Sequence, residues 1–414
     1  MAQATQSERE LSRELNAPLL SIYGAGTILG AGIYVLVGEI AGAAGYWVPL
    51  AFLLAACAAG VNGMVYAELA TRTPHAGGPT DYVHEAFGWR WFSVLIGWMI
   101  VATGVVSAAT ITTGFAGYVG HFVELPGWVP ATALLVVLGG IAAAGAKESA
   151  WFMAVTTTLG VLGLGFVLWV GFWGRGDAGL AGLGELQSSL PPLADAATAA
   201  GVFTAAFMAV YSFIGFEDIV HMSEEVEEPS TSIPIAITVA LAVAAVLYVL
   251  VSTASVMVVE PSALAEAEAP LVAVVEAAGY PGWPLAVLSL WIICNGALAQ
   301  IIMATRVIYG LGEMEGAPDP LTRISAATDT PVRATMLATG VALVLALFFP
   351  LATLASATSF IILLVFAASN AALIVLERRE PDAPFDVPVP VPWVGLVVSV
   401  GLVVARFFVS GGGH

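Results

Sequence analysis

Charged side chains are scarce in this chain of 414 residues. Only 10% of the residues are Asp, Glu, Lys or Arg, whereas an average soluble protein carries roughly 25%. Hydrophobic residues make up 59% of the chain, and the mean hydropathy is +0.93. This composition excludes an ordinary soluble enzyme and indicates an integral membrane protein.

Cysteine and histidine are rare as well, with 2 and 5 residues. Cys57 and Cys294 both lie in apolar stretches, which indicates two buried small apolar side chains rather than a disulfide or a metal site. The histidines lack the spacing of metal ligands, and no nucleophile stands beside a base. We therefore predict that the chain is not an enzyme and has no catalytic residue, no metal and no cofactor.

Basic residues are outnumbered by acidic ones. The chain has 12 Lys and Arg against 30 Asp and Glu, a net charge of −18. Because a protein that binds nucleic-acid phosphates is basic, this balance excludes a nucleic-acid partner. Most of the acid lies in loops such as 224–228, where carboxylates usually form solvated surface.

Long apolar runs fill most of the chain. A bilayer is crossed by about 20 apolar residues in a helix, and runs of that length predict about eleven transmembrane helices with the lipid bilayer as their surroundings. The runs lie near 17–41, 46–70, 91–120, 127–145, 151–174, 198–220, 234–259, 283–311, 334–350, 353–376 and 391–409.

The few basic residues predict the orientation, because short cytoplasmic loops concentrate Lys and Arg. With residues 1–16 as a cytoplasmic N-terminal segment, only Arg175 and Arg406 fall on the outer side. We therefore predict a multi-pass protein of the cell membrane with a cytoplasmic N-terminus. The ten basic residues on the inner side are Arg9, Arg13, Arg72, Arg90, Lys147, Arg306, Arg323, Arg333, Arg378 and Arg379.

Four glycines, at 24, 26, 30 and 32, interrupt the first predicted span. Unpaired backbone groups cost several kcal/mol each in hydrocarbon, so a broken helix must be buried in protein or line a wet cavity. The break is therefore a candidate binding site. Close packing of two helices through Gly26 and Gly30 explains the same pattern equally well.

A second interruption, at 211–218, lies five spans after the first. Transporters built from inverted repeats carry a broken helix at the corresponding position of each half, and the two breaks form the binding site. We therefore predict repeat 1 at 17–174, repeat 2 at 198–376, and an additional helix at 391–409.

Several motifs occur in the order found in one known family. On them the chain resembles the amino acid, polyamine and organocation (APC) transporter superfamily, and within it the cationic amino acid transporter branch. The resemblance implies an all-α membrane fold, a LeuT-type five-plus-five inverted repeat with broken helices 1 and 6. The motifs are TILGAGIYVLVGEIA (27–41), YAELATRTPHAGG (66–78), KES (147–149), SFIGFEDI (212–219), EEVEEPSTSIPIAI (224–237), RVIYGLGE (306–313), TPVRA (330–334) and PFDVP (384–388).

The resemblance also implies a secondary transporter that moves an amino acid by alternating access. In the family, backbone amides of the first broken helix bind the substrate carboxylate. The matching positions are Ile28, Ala31 and Gly32. Amides at the start of a half-helix suit an anion, because the helix dipole is positive there.

The second broken helix is expected to bind the other end of the substrate. In the family, backbone carbonyls at this break bind the substrate ammonium group, which points to Ser212, Phe213 and Ile214. Tyr211 matches an aromatic position that closes over the substrate in relatives. Ordinary aromatic packing remains the alternative interpretation of Tyr211.

Two adjacent carboxylates, Glu217 and Asp218, follow the second break. A carboxylate near mid-membrane costs about 2.5–3.5 kcal/mol on insertion scales, so it usually has a function or a hydrogen-bonded partner. The pair is a candidate for proton coupling or gating. Equally, Glu217 could brace the broken helix by accepting backbone N–H bonds.

Hydroxyl groups follow one another at helical spacing on the third span, at Thr103, Ser107 and Thr110. Thr103 and Ser107 are candidate contacts for the substrate side chain, with close helix packing as the alternative. On the second span, Glu68 and Arg72 lie one turn apart and predict an ion pair near the inner gate.

Coupling to sodium is not expected. Sodium-driven members of this fold use an adjacent hydroxyl pair on the eighth helix, and the span 283–311 has only the separated Ser289 and Thr305. Proton symport or exchange remains, and the substrate stays open between a cationic and a neutral amino acid. The alternative functions are a non-transporting sensor or assembly subunit of the same fold, or an amine or polyamine transporter. The oligomeric state is not predicted.

Overall fold

A computed structural model describes residues 15–73, 77–145 and 150–411, without the side chains at 150–154, 224 and 409–411. The cytoplasmic residues 1–14, with Arg9 and Arg13, lie outside the described residues. The KES motif at 147–149 also lies outside them, and so does part of the motif at 66–78.

The described residues form an all-helical structure. The first eight helices are α1 (Ala17–Ile28), α2 (Ala31–Ala44), α3 (Val48–Arg72), α4 (Pro79–Phe87), α5 (Arg90–Gly120), α6 (Trp128–Ala143), α7 (Ala150–Trp169) and α8 (Asp177–Ser189). They are followed by α9 (Ala196–Ala209), α10 (Pro229–Val258), α11 (Pro261–Glu266), α12 (Pro270–Ala277), α13 (Trp283–Glu313), α14 (Asp319–Thr322), α15 (Val332–Phe348), α16 (Leu351–Arg379) and α17 (Pro390–Gly411).

Every predicted apolar run contains a helix, but the run 17–41 is divided between α1 and α2, and α9 ends at Ala209 within the run 198–220. Eight helical segments of the described chain are long and apolar enough to cross a membrane, and α1, α6 and α15 are shorter apolar helices. One of the eight, Ala31–Arg72, contains both α2 and α3, joined by a single 3₁₀ turn. The prediction of an all-α, multi-pass membrane fold is confirmed.

Tryptophans mark the ends of the membrane-crossing helices. Trp89 and Trp91 stand at the start of α5 and are 54% and 64% exposed, and Trp128 and Trp283 open α6 and α13. Indole rings prefer the membrane–water interface, where the ring is apolar and its N–H stays wet. Rings at these helix starts are therefore expected to lie near the membrane–water interface.

The two broken helices lie side by side in the middle of the bundle. α2 packs against α9, and α1 packs against the 3₁₀ segment Phe216–Glu225 that follows the second break. The long helices α5 and α13 pack along each other beside them. This packing places both breaks next to each other, surrounded by protein.

The prediction for one cysteine is wrong. Cys294 is half-buried, but Cys57 on α3 is exposed. Leu53 and Leu54, one turn earlier, are also about half exposed, so this side of α3 is an apolar outer face. In a membrane protein an apolar side chain faces lipid as readily as core, and hydropathy alone does not separate the two.

Candidate functional site

The first break separates α1 from α2 at Leu29 and Gly30. The Leu29 N–H still donates to the Ala25 carbonyl at 2.7 Å, which closes the last turn of α1. The N–H groups of the first turn of α2 have no acceptor within their own helix. They form the positive end of the α2 dipole, and this end begins at Ala31.

Ile28 therefore occupies a different position from Ala31 and Gly32. It is the last residue of α1. At the end of a helix the N–H groups donate to carbonyls of the preceding turn, and the last carbonyls have no acceptor role within the helix. Its carbonyl accepts a hydrogen bond from the Tyr248 hydroxyl at 2.6 Å. The free amides at the first break thus belong to α2, while Tyr248 caps the end of α1.

The second break follows a 3₁₀ turn, Val210–Phe213. Ile214 is extended, with φ −62° and ψ 136°, and Gly215 has φ +125°. Residues with a side chain rarely adopt such a positive φ, so glycine is required there. A β-carbon built on Gly215 would also lie 2.8 Å from the carbonyl carbon of Thr27. The second break is thus shaped by its contact with the first.

Two further contacts join the breaks. The Thr27 hydroxyl lies 2.9 Å from the carbonyl oxygens of both Gly24 and Gly215, so one donor bridges the two broken helices. A β-carbon built on Gly32 would lie 2.8 Å from the Cα of Ser212. The first turn of α2 and the 3₁₀ turn before the second break are therefore in direct backbone contact.

A cavity of about 40 Å³ lies between the breaks. This volume holds a few water molecules. Eight of the predicted site residues line it, and they come from α1, α2, α5 and both sides of the second break. These eight are Ile28, Ala31, Gly32, Ser107, Tyr211, Ser212, Ile214 and Asp218.

Three predicted site residues do not line this cavity. The Thr103 hydroxyl donates to the Met99 carbonyl at 3.0 Å, within its own helix. The Phe213 ring is buried against Tyr248, with 5.2 Å between ring centroids. The Glu217 carboxyl accepts a hydrogen bond from the Gly215 N–H at 2.9 Å. This last bond is the one that the bracing interpretation of Glu217 requires.

The Tyr211 hydroxyl connects the second break to α5. It lies 3.0 Å from the Ser107 hydroxyl and 3.3 Å from the Ser107 carbonyl oxygen. Both side chains are buried and both line the cavity. The phenol is therefore held in place by a partner on another helix, which ordinary aromatic packing does not require.

Sequence reasoning missed one wall of the cavity, which α13 provides. Its lining residues fall in two helical rows, Ile292, Gly296 and Gln300 in one and Asn295 and Ala299 in the other. The missed signal was a pair of amide side chains in an otherwise apolar span. Polar groups inside a membrane usually mark a functional surface.

A wider cavity, of about 440 Å³, lies at the C-terminal end of α2. Its wall includes the C-terminal turns of α5 and the segment 265–268, which ends α11 and leads towards α12. Glu39, Glu266 and Glu268 line it, and none of its described lining residues is basic.

Comparison with known proteins identifies the family of the chain. The amino acid permease family model matches residues 19–414. The chain is 28% identical to "Cationic amino acid transporter 4, vacuolar" of Arabidopsis thaliana over 394 residues, which is 90% of this chain and 64% of that protein. It is 26% identical to the human "Cationic amino acid transporter 4", covering 91% of this chain and 62% of the relative.

A bacterial relative is covered more fully. The chain is 26% identical to the "Branched-chain amino acid permease BcaP" of Bacillus subtilis over 401 residues, 92% of this chain and 84% of that protein. The relatives are transporters and permeases by name, not enzymes. Because the family model covers nearly the whole sequence, this chain belongs to the amino acid permease family.

Proposed function

We propose that this chain moves an α-amino acid across a membrane. The observation that carries the proposal is the meeting of two opposite helix ends at one cavity. Ala31 and Gly32 lie at the amide end of α2, and Ser212 and Ile214 lie at the carbonyl end of the 3₁₀ turn. Amides attract a carboxylate and carbonyls attract an ammonium group, so the pair suits a zwitterion.

The charges around the cavity support the same substrate. Among its described lining residues, Asp218 is the only acidic side chain and none is Lys or Arg. A substrate carboxylate therefore finds its donors in the backbone of α2. The substrate ammonium group has backbone carbonyls at 212–214 and the Asp218 carboxylate near it.

We propose that transport proceeds by alternating access between the repeats 17–174 and 198–376. The end of the molecule opposite the wide cavity is closed by backbone contacts. Leu15 N–H donates to the Glu225 carbonyl at 3.0 Å, and Glu227 N–H donates to the Leu15 carbonyl at 3.1 Å. These bonds join the start of α1 to the end of the second broken helix. When this end of the molecule opens, the two segments must therefore either move as one unit or break these bonds.

A second set of bonds closes the same end. Glu68 is fully buried and accepts a hydrogen bond from Arg72 Nε at 2.7 Å, as the sequence predicts. Glu68 Oε2 also accepts from Val387 N–H at 2.8 Å, and Arg72 Nη1 donates to the Glu380 carbonyl at 2.6 Å. The ion pair thus fastens the proline-rich linker between α16 and α17 to the end of α3.

We place this closed end in the cytoplasm and the protein in the cell membrane. Arg72, Arg90, Arg378 and Arg379 lie at helix ends on this side. Arg90 pairs with Glu315 at 2.7 Å, so two loops assigned to the same side touch. The wide acidic cavity then faces outwards, where substrate would enter.

Coupling by protons or by exchange fits the described residues better than coupling by sodium. The Ser289 hydroxyl donates to the Leu285 carbonyl at 2.7 Å, and the Thr305 hydroxyl donates to the Ile301 carbonyl at 2.8 Å. These two hydroxyls are far apart on α13, and neither is among the described residues that line the cavity, so α13 offers no adjacent hydroxyl pair there. Glu217, half-buried at the second break, is the proposed proton carrier.

Uptake into proteoliposomes tests this function. A panel of labelled amino acids is offered with a proton gradient, with a sodium gradient, with neither, and with the same amino acid trapped inside. We expect uptake of at least one amino acid, increased by the proton gradient or by trapped substrate. Saturable binding without uptake under every condition would favour the sensor or assembly subunit, and sodium-dependent uptake would refute the coupling proposal.

A further inference from the structure

Gln300 lies on α13, one helical turn after Gly296, and Gly296 is the α13 residue beside the start of α2. A β-carbon built on Gly296 would lie 3.6 Å from the Ala31 backbone nitrogen. Residues four apart lie on the same side of a helix, about 6 Å apart along its axis. Gly296 therefore faces the proposed carboxylate position, and Gln300 faces the next part of the same cavity.

The carbonyl oxygen of the Gln300 side chain has no hydrogen-bond partner among the described residues. The residue is only 9% exposed, and it lines the cavity. A buried polar atom without a partner has a free-energy cost, and such atoms are rare enough in folded proteins that each requires an explanation. A ligand that donates a hydrogen bond would remove this cost.

A second unpartnered atom lines the same cavity, the hydroxyl oxygen of Ser212. Ser212 is 1% exposed and lies at the second break, beside the proposed ammonium position. Two buried polar atoms without partners thus flank one cavity. Ser212 lies beside the proposed position of the substrate's ammonium group, whereas Gln300 lies one turn away from the proposed carboxylate position. The part of the substrate that we expect to face Gln300 is therefore its side chain.

The surroundings of Gln300 favour a donor on that side chain. Asp218 adds a carboxylate to the same cavity, and no basic side chain is among the described lining residues. Ile111 of α5 and Ile292 of α13 add apolar surface to the cavity, and Asn295 is a second amide on the α13 wall. An ammonium, guanidinium or amide N–H on the substrate side chain would find an acceptor in the Gln300 oxygen, whereas an aliphatic side chain would leave this oxygen unpaired.

We infer that Gln300 is a specificity-determining residue that accepts a hydrogen bond from the substrate side chain. The preferred substrates are then α-amino acids whose side chains carry an N–H donor, not their aliphatic analogues. This inference rests on the proposed transport function. A site built to bond a donor rejects an analogue without that donor, because its own polar group is then left unpaired.

Competition for uptake by near-isosteric pairs tests the inference. The pairs are ornithine with norleucine and glutamine with methionine, so one pair tests a charged donor and the other a neutral donor. In the parent protein we expect a preference of about tenfold or more for the donor in at least one pair, the ratio that one hydrogen bond of about 1.4 kcal/mol supports. Gln300→Met should reduce this ratio to within about twofold.

A matched control comes from the same helix. Thr305 is buried on α13, bonds within the helix and does not line the cavity, so Thr305→Val should retain the parent ratio. If Gln300→Met fails to fold by thermal melting, Gln300→Glu keeps the acceptor and should retain the preference for a donor.

The outcomes separate the two proposals. No uptake of any amino acid by the parent protein refutes the transport function. Uptake without a preference in either pair, or a ratio that Gln300→Met leaves unchanged, overturns the role of Gln300 while transport stands. Loss of the preference in Gln300→Glu also overturns the role of Gln300 as an acceptor.

Discussion

Replacing Gly32 tests whether the close contact between the two breaks matters for binding. The ideal β-carbon of Gly32→Ala would lie 2.8 Å from the Cα and 3.2 Å from the Cβ of Ser212. Ordinary contacts of this kind are about 3.5–4.0 Å, so the two backbones must separate by several tenths of an ångström. Overpacking of this kind costs about 1–3 kcal/mol.

The separation falls where the substrate is proposed to bind. Ala31 and Gly32 would offer amides to the carboxylate, and Ser212 and Ile214 would offer carbonyls to the ammonium group. Moving one set from the other weakens both contacts to a rigid zwitterion. A loss of about 1.4–2.8 kcal/mol in binding corresponds to a 10- to 100-fold rise in Kd.

The assay is binding and uptake by the purified variant, with thermal melting as the measure of folding. Gly140 on α6 has no atom within 4 Å of its ideal β-carbon, so Gly140→Ala is a matched control that should bind as the parent does. Gly32→Leu should abolish binding. If Gly32→Ala is folded and binds substrate with the parent Kd, the proposed binding of the substrate carboxylate by the amides of Ala31 and Gly32 is wrong.

Three other substitutions test separate contacts. Tyr211→Phe removes the hydroxyl that bonds Ser107, and uptake should show a KM raised about two- to tenfold, from a hydrogen bond of about 0.5–1.5 kcal/mol; an unchanged KM would favour simple packing. Glu217→Gln keeps an oxygen that can accept from Gly215, so exchange should persist while proton-driven accumulation is lost, and accumulation at the parent level would exclude Glu217 as the proton carrier. Glu68→Ala leaves the buried Arg72 guanidinium without its carboxylate partner, which costs about 3–5 kcal/mol and should lower Tm; a variant that melts as the parent does would refute the proposal that this ion pair holds the linker between α16 and α17 to α3.

The helices could be predicted because a membrane imposes long apolar runs. Every predicted run contains a helix, and the connecting helices α4 and α8 were missed because neither is a long apolar segment. The glycines at 30 and 215 also identified where the helices break. Apolar length and glycine placement are local properties, so they can be read from the sequence.

The walls of the cavity were harder to predict because they depend on which helix faces meet. Thr103 and Ser107 look alike in sequence, yet only Ser107 lines the cavity. The polarity of Gln300 marks it as a candidate, but the local sequence does not show that Gln300 lines the cavity or that Tyr248 caps α1 at Ile28. Such roles are set by the packing of distant segments.

Competition by analogues of one transported amino acid tests most directly whether two helix ends bind the zwitterion. The amino acid is compared with its methyl ester, which lacks the carboxylate charge, and with its decarboxylated amine, which lacks the carboxyl group. Because Ala31 and Gly32 would lose their anion in both analogues, we expect each to compete at least about 100-fold less well, a loss of about 2.8 kcal/mol. An amine that competes as well as the amino acid would contradict carboxylate recognition by α2 and favour an amine or polyamine transporter.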